Sequence, residues 1–206
     1  MSEGVSRPVP QGLDPQIQHR IETAAVKVFA EAEFHQVRLT EIAREARCSL
    51  QTLYRYYGSK EAVLNACLIH GLEQLAERMT DHLSGIASCR DRLSKVFWVV
   101  LDFFDKHPER GRMMIKSVYP GRWGADTTPA QQGLTALFLD VLASGQQAGV
   151  LNDQVSPEVL LDVFYGVLLR VAQMHLLRGR PGKMVDQHEL LFSMLWRALT
   201  REEAVL

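Results

Sequence analysis

The sequence predicts an all-α protein: three N-terminal helices that include a helix-turn-helix, a long fourth helix, and a larger helical remainder. Three observations predict this class. Apolar residues recur at helical spacing along most of the 206 residues. No stretch shows sustained alternation of apolar and polar residues, so we expect no sheet. Two short helical patterns near position 47 are separated by only three residues, which is the skeleton of a helix-turn-helix.

The composition is typical of a soluble globular protein. Hydrophobic residues make up 47% of the chain, charged residues 23%, and the formal net charge is −1. No run of eighteen apolar residues and no signal-peptide core are present, so we expect a cytoplasmic protein without a membrane span. The widely spaced Cys48, Cys67 and Cys89 are typical of reduced thiols rather than of a disulfide framework.

The first helix has a clear start signal. Residues 1–13 are rich in proline and polar residues, and we expect them to be disordered. Asp14 then offers an N-cap carboxylate, and Pro15 suits the first helical position. Apolar residues at helical spacing follow, and the pattern ends near Glu33.

The second and third helices are short. The second is predicted over residues 39–46 and the third over residues 50–56, with Ser49 as its N-cap. Gly58-Ser59 ends the third helix and caps a fourth, which continues toward Leu83.

The rest of the chain is also predicted to be helical. Five further helices are expected, over residues 91–106, 108–115, 129–147, 157–177 and 185–199. Residues 117–129 read as a loop. We place a compositional boundary inside the fourth helix, which gives one domain over residues 14–65 and another over residues 66–206.

Positive charge and tyrosine are concentrated around the helix-turn-helix. Residues 38–60 hold five cations and two acids, a local charge of +3, and three of the five tyrosines. A positive patch on a near-neutral protein indicates a nucleic-acid surface. The alternative is a solvated pair of surface helices.

The third helix supplies side chains suited to bases. Gln51 and Arg55 are four residues apart and share a face, where glutamine suits adenine and arginine suits guanine. Thr52 and Tyr56 offer hydroxyls to phosphate, and Lys60 adds a cation at the positive end of the fourth helix. The predicted DNA contacts are Arg38, Arg47, Ser49, Leu50, Gln51, Thr52, Tyr54, Arg55, Tyr56 and Lys60.

These residues resemble the TetR family of bacterial transcriptional regulators. The resemblance covers residues 21–67 and rests on F-A-E followed by F-H, on E-I-A-x-x-A, on S-x-x-T-L-Y-R-Y-Y and on G-S-K-E-A-V-L. It implies a homodimer on a pseudo-palindromic, double-stranded DNA operator. It also implies a ligand-binding core after the early fourth helix, pairing of the last two helices with their copies, and a core position for Tyr57. A DNA contact is the alternative for Tyr57.

Three positions depart from the family pattern. Glu33 and Arg47 stand where the family usually has glycine, and Arg38 stands where it usually has threonine or serine. The turn at Arg47 commonly needs a left-handed residue, so we hypothesise that Arg47 adopts that conformation and reaches a phosphate; the alternative is a solvated arginine. Arg38 cannot accept a capping hydrogen bond, although it can contact phosphate. Leu50 suits a thymine methyl group.

Apolar and aromatic residues of the later helices fit a small, largely apolar effector. As core packing alone they need no ligand, and both interpretations stay open. His175 has the same two interpretations: it either forms hydrogen bonds within the core or lines a ligand pocket. Trp123 is expected to cover the pocket. The predicted ligand contacts are Phe97, Phe104, Met113, Met114, Trp123, Phe138, Phe164, Met174 and His175.

The helices over residues 157–177 and 185–199 are apolar over wide arcs, so a four-helix seam across a two-fold axis is expected. The predicted interface residues are Val159, Val163, Val167, Val171, Leu191, Met194 and Leu195.

The sequence favours an effector-responsive repressor. No His, Cys, Asp and Glu group has metal-ligand spacing, and no nucleophile or phosphate-loop motif occurs, so we expect no metal, no cofactor and no enzyme. A DNA-binding protein without an effector, as an activator or structural protein, is the first rival. A helical enzyme that carries a helix-turn-helix is the second. Cys48 is either a core filler or a redox switch.

Overall fold

The structure, a computed structural model, describes residues 12–83, 85–117, 129–179 and 181–201. This part of the chain is helical, without strands, and its one extended pairing is an isolated antiparallel bridge between Leu151 and Thr200. The all-α prediction is therefore confirmed. The helices are α1 Pro15–Glu31, α2 Leu39–Glu45, α3 Leu50–Tyr56, α4 Lys60–Leu83, α5 Cys89–Lys106, α6 Pro108–Ser117, α7 Pro129–Gln147, α8 Pro157–Arg178 and α9 His188–Leu199, with a 3₁₀ helix at Met184–Gln187 before α9.

Local capping sets several helix ends. Asp14 caps α1, because its Oδ1 accepts from the Gln16 N–H at 2.7 Å. Ser88 caps α5 in the same way through the Asp91 N–H at 3.3 Å, so α5 begins two residues before the predicted start. Gly179, with φ of 55°, ends α8 in the left-handed conformation.

The start of α9 differs from the prediction. The helical pattern predicted α9 from residue 185, whereas α9 begins at His188. Asp105 on α5 accepts from the N–H groups of Met184 and Val185, both at 3.0 Å. These two bonds hold the preceding residues as a 3₁₀ turn against α5, a contact that periodicity cannot reveal.

The described chain forms two compact units. The first comprises the described residues of Met1–Leu72 and Glu109–Thr127, and the second those of Glu73–Pro108 and Thr128–Leu206. The sequence placed a functional boundary near residue 65, whereas the compact first unit extends further along α4. The reason is close packing, since an added Cβ on Gly71 would lie 3.3 Å from Arg110 Cδ.

The first unit has a small apolar core. Ile21, Ile42 and Leu53 are fully buried and join α1, α2 and α3. Tyr57 is 7% exposed, which confirms its core position, and its hydroxyl has no hydrogen-bond partner among the described residues. Leu13 is buried too, which corrects the expectation of disorder for that residue; residues 1–11 lie outside the described part.

Aromatic rings fill the core of the second unit. Phe97 meets Phe164 edge-on, with centroids 6.1 Å apart, and Phe192 at 6.0 Å. Phe138 meets the opposite side of this cluster at 5.7 Å from Phe164. The His188 ring stacks on Phe192 at 6.1 Å. Phe97, Phe138 and Phe164, which were predicted to line a ligand pocket, thus pack in one cluster.

A buried carboxylate joins α4 to α5 in the second unit. Asp102 is 7% exposed and forms ion pairs with Arg78 of α4 and with Lys106 at 3.0 Å. Burial raises the pKa of Asp102, but hydrogen bonds from Arg78 and Lys106 outweigh it and lower the pKa overall.

One described helix, α8, is long and apolar enough to cross a membrane by length and composition alone, a test that helices of soluble proteins also pass. Only 28% of its most apolar window is buried. Val159, Val163 and Val167 recur every fourth residue on the uncovered side and are 44%, 38% and 37% exposed. On α9, Met194 is 61% exposed, so the second unit presents an apolar face formed by both helices.

The predicted interface residues divide between this face and the core. Val171 and Leu191 are half-buried. Leu195 is 2% exposed and packs in its own subunit, so its assignment to a dimer interface is wrong. The helical pattern of α9 is apolar on several sides, and only packing shows which side faces inward.

Candidate nucleic-acid interface

The turn between α2 and α3 is closed by two hydrogen bonds. The Arg47 N–H donates to the Arg44 carbonyl at 3.2 Å, and the Cys48 N–H donates to the Ala43 carbonyl at 3.0 Å. This pair defines a Schellman motif, which requires a left-handed residue after the helix cap. Arg47 has φ of 51°, and it alone among the described non-glycine residues has a positive φ. The predicted left-handed conformation is confirmed.

The start of α3 is capped by a pair of hydroxyls. Ser49 Oγ accepts from the Thr52 N–H at 3.0 Å and lies 2.8 Å from Thr52 Oγ1. The predicted N-cap is therefore confirmed. The two hydroxyls already share a hydrogen bond, and their roles as DNA contacts stay predictions.

The outer face of α3 is polar and uncovered. Gln51 and Arg55 are exposed on one side, and Tyr54 is 54% exposed beside them. Leu50 is half-buried, whereas Leu53 on the opposite side is fully buried and anchors the helix. A helix held by one face with its polar face outward has the shape that enters a major groove.

Tyr56 contacts the start of the described chain, which the sequence did not predict. Its ring is half-buried, and its hydroxyl donates to the Gly12 carbonyl at 3.4 Å. The Arg55 guanidinium lies 5.6 Å from the centroid of the same ring. Tyr56 therefore holds the start of the described chain against α3, and a phosphate contact through its hydroxyl stays a prediction.

An open groove of about 440 Å³ runs beside α3 in the first unit. The Arg38 guanidinium is exposed there, without a hydrogen-bond or ion-pair partner among the described residues. Thr40 contributes an exposed side chain that the sequence analysis missed, although its place at the start of α2 beside Arg38 was a signal. The groove is lined by Val37, Arg38, Leu39, Thr40, Leu50, Tyr54, Gly58, Ser59 and Lys60.

Lys60 lies in this groove with two of its three N–H donors in use. Its Nζ donates to the Phe34 carbonyl at 2.6 Å and to the Val37 carbonyl at 2.9 Å. It also lies 4.3 Å from the centroid of the Phe34 ring. The sequence predicted a free phosphate cation, whereas the ammonium binds the connection between α1 and α2.

The exposed charge around α2 and α3 is positive because the acids are bound within the protein. Glu45 pairs with Lys27 at 2.6 Å, and that hydrogen bond lowers the pKa of Glu45. Glu41 Oε2 accepts from the Arg38 N–H at 3.2 Å. The arginines at 38, 44, 47 and 55 are all exposed. Such a surface attracts a phosphate backbone.

The cysteines are not activated. Cys48 is partly buried, and burial raises the pKa of its thiol. Burial raises the pKa of Cys67 to about 12. A redox switch needs an exposed thiolate, so the structure favours the core-filler interpretation for both. In the described part of the chain, no three His, Cys, Asp or Glu side chains are placed to hold a metal.

The predicted effector residues do not converge on one cavity. Phe97, Phe104, Phe138 and Phe164 are buried in the second unit, with Met174 and His175 half-buried on α8. Met113 and Met114 belong to the first unit, which corrects their assignment to the same core, and Trp123 lies outside the described residues. A cleft lined mainly by α5 and α7 holds about 10 Å³ and includes Phe138.

Similarity to known proteins agrees with this geometry. The family described as bacterial regulatory proteins, tetR family, matches residues 21–67, which contain α2, α3 and the start of α4. The transcriptional regulator UidR of Escherichia coli K12 is 24% identical over 153 residues, which cover 72% of this chain and 78% of UidR. These comparisons support a TetR-family transcriptional regulator.

Two further comparisons extend the likeness over more of the chain. The transcriptional repressor SCO4008 of Streptomyces coelicolor is 29% identical over 143 residues, covering 68% of this chain and 71% of SCO4008. The crystal structure of FadR from Bacillus subtilis in complex with stearoyl-CoA superposes with a TM-score of 0.72 at 18% identity, covering 88% of this chain and 98% of FadR. The relatives are regulators of transcription, and the fold of this chain is theirs.

Proposed function

We propose that this TetR-family regulator is a cytoplasmic homodimer that represses transcription from a pseudo-palindromic operator. The observation that carries the proposal is the outer face of α3, which presents Gln51 and Arg55 without a protein partner to cover it. In a dimer, the two α3 helices enter successive major grooves, and the half-site spacing equals one helical turn of DNA.

Base contacts and phosphate contacts fall on different side chains. Gln51 pairs with adenine, Arg55 with guanine, and Leu50 packs on a thymine methyl group. Arg38 and Arg47 contact phosphates on either side and set affinity without sequence preference. The exposed guanidinium groups at both positions support these roles.

The uncovered face of α8 and α9 supports the homodimer. A helix with an apolar side exposed every fourth residue either lies in lipid or packs on protein. Because residues 21–67 match a family of DNA-binding regulators, we favour contact with protein over contact with lipid. A second copy of the chain supplies a matching face across a two-fold axis.

A small, largely apolar effector is proposed to release the operator. FadR was crystallised with stearoyl-CoA, so long-chain acyl-CoA is the first class to test. The 10 Å³ cleft holds no more than about one water, so an effector has to open the second unit. Release requires that the effector binds the DNA-free conformation more tightly than the DNA-bound one.

The closed interior also favours a second candidate, a DNA-binding regulator without a small-molecule effector. In that case the aromatic cluster of the second unit is purely structural. Titrating the protein–DNA complex with stearoyl-CoA and a library of apolar compounds separates the two candidates. Dissociation by any compound at a saturable site supports the first, and an unchanged complex supports the second.

Selection of duplexes from a randomised library tests the proposal itself. The wild-type protein should enrich an inverted repeat. Gln51→Ala should relax the choice at one base pair in each half-site and cost about 1–3 kcal/mol on the best duplex. Gln147→Ala removes an exposed glutamine from α7 and is the matched control, with unchanged selection expected. Failure to enrich any sequence, or equal effects of the two substitutions, contradicts the proposal.

A further inference from the structure

The peptide group between Val37 and Arg38 is held on both edges. Its carbonyl accepts from Lys60 Nζ at 2.9 Å, and its N–H donates to Glu41 Oε2 at 3.2 Å. A peptide group is a rigid plane, so two bonds on opposite edges fix its orientation. They therefore fix the direction in which the Arg38 side chain leaves the backbone.

The ammonium of Lys60 is itself firmly placed. It also donates to the Phe34 carbonyl at 2.6 Å and lies over the Phe34 ring. That ring stacks on the buried Phe29 with a centroid separation of 6.1 Å. The backbone of α4 is anchored beside Lys60 because Ser59 Oγ accepts from the Ala62 N–H at 3.1 Å.

This arrangement holds the start of a helix that lacks a side-chain N-cap. An N-cap normally accepts a hydrogen bond from the first turn of its helix through a side-chain oxygen. Arg38 occupies the N-cap of α2, and a guanidinium has no acceptor, so no side-chain cap bond forms. The start of α2 is held instead by Lys60, from outside the helix, on the Val37 carbonyl, and by Glu41, from its first turn, on the Arg38 N–H.

We propose that Lys60 is a positioning residue that raises DNA affinity by orienting Arg38, instead of serving as an independent phosphate ligand. The proposal rests on the proposed function, in which Arg38 contacts phosphate. An arginine side chain has many rotamers, and fixing its base lowers the entropy lost when it binds a phosphate.

A double-mutant cycle tests the proposal, with Lys60→Met, Arg38→Ala and the combined variant. Lys60→Met keeps the apolar stem over Phe34 and removes the ammonium. Affinity for the duplex selected by the wild type is measured across salt concentrations. Lys60→Met should lower the affinity but leave the slope of log K against log salt unchanged, because Arg38 still contacts the phosphate. Arg38→Ala should flatten that slope by about 0.9 per subunit, and the combined variant should flatten it by the same amount. Two independent phosphate ligands would instead flatten it by about 1.8 and give additive losses of affinity, which overturns the proposal.

Hydrogen exchange gives an independent measurement on the free protein. In Lys60→Met, the amides of Val37 and Arg38 should exchange faster, while the Leu53 amide in the core exchanges as in the wild type. Unchanged exchange at Arg38 overturns the proposal as well. If Lys60→Met does not fold, Phe34→Leu removes only the ring under the ammonium, and the same non-additivity with Arg38→Ala is expected at smaller amplitude.

The possible results distinguish a failure of the proposed function from a failure of the role proposed for Lys60. A wild-type protein that selects no duplex refutes the proposed function. A wild-type protein that selects a duplex, with an additive cycle, refutes only the role of Lys60.

Glu41→Gln retains an acceptor for the Arg38 N–H and should keep the protection of that amide from hydrogen exchange, whereas Glu41→Ala should lose it.

Discussion

At the scale of single residues, Arg47 combines a strained backbone with an exposed positive charge. Its left-handed backbone costs a residue with a Cβ about 1–2 kcal/mol relative to glycine. The Schellman closure imposes that conformation, since both of its hydrogen bonds depend on it. The exposed guanidinium at this position is therefore present despite a cost, which the proposed phosphate contact would account for.

Replacement of Arg47 by glycine tests this explanation. Arg47→Gly should raise the free energy of unfolding by about 1 kcal/mol, because relief of strain exceeds the added freedom of the unfolded chain. It should also weaken DNA binding and flatten the salt dependence. Thermal melts and binding isotherms measure both.

Arg47→Asn is the matched control, because asparagine tolerates the left-handed conformation but carries no charge. It should lose DNA affinity as the glycine variant does. Unchanged binding in both variants would mean that Arg47 is merely solvated, and a lower melting temperature for Arg47→Gly would contradict the strain itself.

Sequence reasoning succeeded at residues whose partners are close in the chain. Ser49 caps α3 through Thr52, three positions away, and the turn at Arg47 is closed within five. It did not reveal the internal hydrogen bonds of Lys60 and Tyr56, whose backbone acceptors are 23 to 44 residues away. Those pairs exist only after the helices pack, so no local pattern encodes them.

At the scale of helices, the buried Asp102 holds α4 and α5 of the second unit together. Its folded pKa is lowered, so the stabilisation is complete above the ordinary aspartate pKa of about 3.9 and is lost as pH falls through the folded value. Asp102→Asn should cost about 2 kcal/mol of stability at neutral pH.

The pH dependence of that cost is the decisive measurement. Denaturant unfolding should give a constant difference between wild type and Asp102→Asn down to about pH 5, and a shrinking difference below about pH 4. Asp140→Asn, at an exposed position on α7, should stay within about 0.5 kcal/mol of the wild type. A difference for Asp102→Asn that grows in acid would contradict the lowered pKa.

Helix bounds were predictable where proline or glycine marks them. Pro129 and Pro157 begin α7 and α8 as predicted, and Gly179 ends α8. The start of α9 was not predictable, because Asp105 captures the backbone of Met184 and Val185 from another helix. Hydrogen bonds from another helix thus decide where α9 begins, and the periodicity of apolar residues does not reveal them.

At the scale of the whole molecule, the uncovered face of α8 and α9 is the surface proposed to pair two subunits. Sequence reasoning found both helices but assigned Leu195 to the interface, because an arc that is apolar on several sides does not show which part faces inward. Val163 lies near the middle of the exposed row and is the natural position for a test.

Val163→Asp should yield a monomer, since two aspartates would face each other across the two-fold axis. Operator binding should be lost with it, because one half-site alone is weak. Val155→Asp alters a valine of almost equal exposure outside α8 and should leave both properties intact. Light scattering and binding isotherms report the outcome, and a dimeric Val163→Asp protein would exclude this face as the interface.

If the uncovered valines pair two subunits as proposed, the cellular abundance of the protein becomes part of its regulation. Paired subunits vary with the square of total concentration when pairs are scarce, whereas single subunits expose α8 to proteases and to aggregation. A cell that halves its supply of this regulator therefore loses more than half of its operator-binding form and clears the remaining single subunits faster. Occupancy of the operator should therefore drop steeply once the protein concentration falls below a threshold.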